Sequence, residues 1–140
     1  MGVTSCVNHF DAKLGNPKMA ILKQGDNQVE VRIKNTSNNT YYDEYVQTDR
    51  REENGSRQCQ RYIVGEPDTT FAIEVTLKEG YDVGDCKKIR AYLYSFNTAS
   101  CHIGSEMAYA EDIRRSGKDI KLVIGKVLNS LGSGHFAFGL

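Results

Sequence analysis

The sequence predicts an all-β domain, a β-sandwich or jelly-roll of about eight mostly antiparallel strands with little helix. Three observations predict it. Several short runs alternate apolar and polar residues with period two, turn-forming clusters separate them, and no long run carries the helical period. Helix-then-strand alternation is missing, which argues against a doubly wound parallel sheet.

Residues 1–18 show no period and close on the turn signal Gly15-Asn16-Pro17, so they read as a flexible N-terminal arm, part of which could form an edge strand. Residues 19–140 read as a single β-domain. In its first clear strand, Val29, Val31 and Ile33 alternate with Glu30, Arg32 and Lys34, one face for a core and one for water. Asn35–Asn39 is a turn cluster, because Asn and Ser side chains bond their own backbone and Asn tolerates positive φ. The tyrosine-rich run Thr40–Thr48 reads as a strand, Asp49–Gln58 as a charged loop and Gln60–Val64 as a short strand. Phe71, Ile73, Val75 and Leu77 alternate with Ala72, Glu74, Thr76 and Lys78 to give the clearest half-buried strand.

In Lys88–Phe96 both faces are apolar. Ile89, Ala91 and Leu93 face one way, Tyr92, Tyr94 and Phe96 the other, so this strand is either central or carries an aromatic working surface. Cys101–Tyr109 fits no single element, Ala108–Ser116 suits one helical turn, and Ile120, Leu122 and Ile124 mark a further strand. Gly132-Ser133-Gly134 reads as a hairpin turn before a short strand; a phosphate-cradling loop would need a helix to follow and a Lys-Ser/Thr ending.

The order of these segments resembles a family of fungal proteins, the DUF7918 domain proteins. The resemblance is carried by Val29-Glu30-Val31-Arg32-Ile33, Tyr42-Asp43-Glu44-Tyr45, Arg61-Tyr62-Ile63-Val64-Gly65 leading to Phe71-Ala72-Ile73-Glu74-Val75, Ala91-Tyr92-Leu93-Tyr94, and Phe136-Ala137-Phe138. Where the family has an Asp-Gly turn after the fourth block, this chain has Ser95-Phe96-Asn97-Thr98. The resemblance implies a β-rich intracellular domain and carries no activity.

The 18 basic and 18 acidic residues balance, which argues against a strongly basic nucleic-acid binder. Met1–Phe10 lacks the apolar core of a signal peptide. No run approaches the roughly 20 apolar residues of a membrane helix. An intracellular location, cytoplasm or nucleus, is the expectation, and Cys6, Cys59, Cys86 and Cys101 are read as reduced thiols.

Catalytic and metal chemistry find little footing. Cys101 and His102 are neighbours in sequence, but consecutive strand side chains point to opposite faces. The cysteines lack the close spacing of a zinc site. Asp43, Glu44, Asp49, Glu52 and Glu53 could form an acid–base pair or a Ca²⁺ site, but Arg50 and Arg51 among them favour a solvated loop. No catalytic residue, metal or cofactor is assigned.

The tyrosines are the most informative feature, since tyrosine joins apolar area to a polar tip and is enriched at interfaces. The binding candidates are Tyr92, Tyr94 and Phe96, with Tyr41, Tyr42 and Tyr45; the competing reading is that they pack under a loop or against the other sheet. The leading expectation is a non-enzymatic protein-interaction or self-assembly domain, with a protein partner or a second copy. The alternatives are a carbohydrate- or nucleic-acid-binding module on an aromatic face, and an enzyme of unrecognised class built on the carboxylates or Cys101. No membrane partner is expected.

Overall fold

The structure, a computed structural model, describes residues 2–6, 17–46, 57–65, 68–95, 101–129 and 134–139. Phe96, the carboxylates Asp49, Glu52 and Glu53, and most of the Gly132–Gly134 turn lie outside them.

The described residues form eleven strands and one short helix. The strands are β1 (Gly2–Cys6), β2 (Ala20–Gln24), β3 (Asn27–Asn35), β4 (Thr40–Tyr41), β5 (Glu44–Tyr45), β6 (Gln58–Ile63), β7 (Thr69–Leu77), β8 (Lys88–Ser95), β9 (Cys101–Tyr109), β10 (Ile120–Asn129) and β11 (Gly134–Gly139); helix α1 (Ala110–Ser116) joins β9 to β10. A six-stranded sheet runs β5-β6-β11-β1-β8-β9, and a five-stranded sheet runs β10-β7-β3-β2 with β4 paired to β3. All the pairings are antiparallel except β1 with β8. The all-β expectation holds. The extra strands are mostly short, and two-residue strands such as β4 and β5 leave no periodic signal to read.

One core draws on both sheets. Leu22, Val31, Ile73 and Leu122 from one sheet cluster with Cys59, Ile63, Leu93 and Phe138 from the other. A fully buried side chain such as Ile73 contributes about 2 kcal/mol by leaving water. The alternation read in β3 is the alternation observed: Val29, Val31 and Ile33 are buried, while Glu30, Arg32 and Lys34 are half-buried. In the turn that follows, Asn35 Oδ1 accepts the Ser37 N–H at 2.9 Å and Asn39 adopts φ 62°.

Three features depart from the sequence reading. β1 is no edge strand but lies inside its sheet, between β11 and β8. Its position comes from ladder pairing on both sides, which a polar five-residue segment does not advertise. β7 is covered on both faces, with Ala72 and Glu74 buried, because it is central and the Tyr41 side chain reaches across from β4 to its outer side. Cys101–Tyr109 is a strand throughout, with a register shift near its start.

α1 is seven residues long and ends on Gly117 in the left-handed conformation, φ 61°. Acidic Glu111 and Asp112 sit in its first turn and Arg114 and Arg115 in its last, matching the helix dipole. Gly104 lets β9 come close to β10: a Cβ there would lie 3.1 Å from Ile124 Cγ2.

Candidate functional site

The aromatic candidates fall on separate surfaces. Tyr41 lies on the outer side of the five-stranded sheet, Tyr45 at one edge of the six-stranded sheet, and Tyr92 on β8, one strand in from its other edge. Tyr42 packs against the core, its hydroxyl 3.3 Å from that of Thr69. The Tyr94 side chain, like Phe96, lies outside the described residues, so of the predicted row only Tyr92 is placed, half-buried.

Around Tyr41 the sheet surface is densely paired, although Arg32 Nε is buried there without a hydrogen-bond partner. The strand register sets Arg32 opposite Glu74 and Lys34 opposite Tyr41. The Tyr41 hydroxyl donates to Glu74 Oε2 at 2.5 Å, and the Arg32 guanidinium lies 3.9 Å from the ring centroid. Lys121 Nζ is 3.4 Å and Lys34 Nζ 4.0 Å from the same carboxylate. The bond to Glu74, reinforced by burial and by that negative charge, raises the Tyr41 pKa. The charge of Glu74 likewise raises that of Lys121. This arrangement holds Tyr41 as a structural strut.

At the crossover from one sheet to the other stands Glu44, which the sequence placed on a solvated loop. It is buried instead, at 4% exposure. The burial comes from remote residues that fold over it. Oε2 accepts the Ile33 N–H at 3.3 Å, and Oε1 is buried without a hydrogen-bond partner. Beside it the fully buried Arg61 donates to the carbonyls of Lys18, Met19 and Gln60 at 2.9, 3.0 and 2.8 Å. Burial pushes the Glu44 carboxyl from 4.5 up to about 7, while the Ile33 N–H, Arg61 and Arg32 pull it down. The sequence offered one signal, an arginine inside the strand pattern Arg61-Tyr62-Ile63.

The third surface is the outer side of β8 and β9. Arg90 lies 5.8 Å from the Tyr92 ring centroid, and its Nη2 reaches Met107 Sδ at 3.4 Å. Next to them Tyr109 is 54% and Met107 36% exposed. Both belong to β9, the last strand of its sheet; among the described residues no strand pairs with its outer side. Sequence reasoning missed Met107 and Tyr109, because nothing local shows which strand ends a sheet.

Enzyme-type features are sparse among the described residues. No group of three or more His, Cys, Asp or Glu is placed to hold a metal ion. A cavity of about 160 Å³ between α1 and the end of β7 is lined by Leu77, Tyr81, Ile113, Arg114, Lys118 and neighbours, with no carboxylate, thiol or imidazole. No helix there is long and apolar enough to cross a membrane.

Fold and surfaces together define a two-sheet, mostly antiparallel β-domain in which, among the described residues, β9 ends its sheet unpaired on one side. The chain belongs to the family described as Domain of unknown function (DUF7918), whose model matches residues 28–129. The match runs from the start of β3 to the end of β10 and leaves Phe136 and Phe138 beyond it. No curated protein and no solved structure matches the chain.

Proposed function

We propose that this domain is a non-enzymatic protein-interaction module that adds a strand, from a partner or from a second copy, to the edge of β9. One observation carries the reading: β9 is a long edge that is poorly protected. An unpaired edge presents backbone donors and acceptors to any extended chain, and proteins blunt such edges with lysines, prolines and bulges. In Cys101–Tyr109 there is no Lys and no Pro, and Glu106 is the one Asp, Glu, Lys or Arg. Past the register shift near its start, Gly104–Tyr109 runs regularly against β8. β10, the long edge of the other sheet, carries Lys121 and Lys126 and a register shift between Ile124 and Val127.

Light scattering on the eluting protein, over a range of concentrations, tests the self-assembly form. The native chain is expected to run above its 15.7 kDa monomer mass, and Met107→Lys at that mass. A native chain that is monomeric at every concentration removes self-assembly.

A second reading, a sugar or unstacked base on the β8–β9 face, is supported by Arg90 over Tyr92 beside exposed Tyr109. Glycan-array and oligonucleotide binding, lost in Tyr92→Ala, separates it from strand addition. We infer an intracellular setting, supported by the free, exposed thiol of Cys86.

A further inference from the structure

Glu44 stands where the ladder of β3 is interrupted. β2 pairs no further along β3 than Val31, and β4 begins at Lys34, so between them the Ile33 N–H meets a side chain in place of a strand. That side chain belongs to β5, in the other sheet. Buried backbone donors need a partner, and here one carboxylate oxygen supplies it across the seam. Its second oxygen has none.

The charged groups around this carboxylate are Arg32 and Glu30 on β3 and Arg61 on β6; Lys18, ahead of β2, meets Glu44 through the backbone, its N–H bonding the Glu44 carbonyl at 2.7 Å. Arg61 is engaged by three backbone carbonyls and Arg32 lies over the Tyr41 ring. β5 itself is two residues long and, among the described residues, pairs with Ile63 and Tyr62.

We propose that Glu44 makes the β4–β5 crossover a pH-operated latch: protonated, it pins β5 across the seam; ionised, it draws β5 away and uncovers the edge of β6. A neutral carboxyl still accepts the Ile33 N–H and needs no counter-charge. Either form leaves Oε1 buried and unpartnered, but when the group carries charge the cost is higher, which favours its movement towards water. The raised carboxyl pKa, about 7, sets the range in which the latch works. The device sits at the opposite edge of the six-stranded sheet from β9 and does not depend on strand addition there.

The test is a titration of the full chain by NMR from about pH 5 to about pH 9, native and Glu44→Gln. In the native chain the Ile33 amide signal is expected to move with a midpoint near neutrality. Its hydrogen exchange, corrected for base catalysis, should rise several-fold above that point. In Glu44→Gln both are expected to be flat. His135, which stands opposite Tyr62 in the register, is retained in Glu44→Gln, so the variant separates a carboxyl-borne response from any histidine-borne one. An Ile33 response that survives in the variant, or one absent from the native chain, overturns the latch. If the variant does not fold, the carboxyl carbon of Glu44 in the native chain decides. A midpoint near 7 supports the proposal, and one near the ordinary 4.5 overturns it.

Discussion

Glu74 and Glu44 are buried to nearly the same depth, 7% and 4% exposed, yet they are served differently. Glu74 receives the Tyr41 hydroxyl and has Lys121 and Lys34 within 4.0 Å. Glu44 receives one backbone N–H and keeps an oxygen without a partner. The lesson is that donors, more than depth, decide what burial does to a carboxylate. Three donor groups turn the Glu74 region into a brace across β3, β4, β7 and β10. One donor leaves Glu44 poised.

The sharpest separation of the two regions is by pH. The carboxyl of Glu44 has its pKa raised from 4.5 to about 7, so between these values the folded chain holds a proton that the unfolded chain has lost. Its contribution to stability is full below about pH 4.5, declines as pH rises towards 7, and is level above that. The decline is worth up to about 3 kcal/mol, from roughly 1.4 kcal/mol per unit. Urea denaturation across this range should show the native chain losing stability relative to Glu44→Gln. Parallel profiles for the two proteins would remove the distinction between the carboxylates.

Glu74→Ala probes the served carboxylate. It strips Tyr41, Lys34 and Lys121 of their shared acceptor, and the expected cost is about 2 kcal/mol in urea denaturation at neutral pH. A fully buried pair would cost more, but the Lys121 side chain is 50% exposed and regains water. A change below about 0.5 kcal/mol would mean that the brace is ornamental.

How much of this was legible depended on how far each signal reached along the chain. Val29, Val31 and Ile33 announce a strand because period two is local, and Asn35–Asn39 announces a turn for the same reason. Glu74 was legible as outward-facing but not as buried, since its cover is Tyr41, 33 residues away. Glu44 looked solvated among its charged neighbours, and its burial, its bond to the Ile33 N–H and its closeness to Arg61 arise only with the fold. β1 was illegible because its place depends on β11 and β8, and its own residues carry no alternation. Tyr92 was readable as the outward partner of Ala91 and Leu93, whereas the place of β9 at the end of its sheet emerges only once sheet order is known.

The smallest expected effect is the most discriminating for the brace. Tyr41→Phe keeps the ring beneath Arg32 and removes only the hydroxyl that donates to Glu74. One charge-assisted hydrogen bond at a surface where Tyr41 is 37% exposed is worth about 1 kcal/mol. Combined with Glu74→Gln in a double-mutant cycle, the two changes should be non-additive, because each removes part of the same contact. Coupling near zero would assign the hold on Glu74 to Lys121 and Lys34 alone. The contrast with Glu44 would then reduce to mobile surface cations present in one place and absent in the other, and the tyrosine on the outer sheet would be open to serve as a contact residue after all.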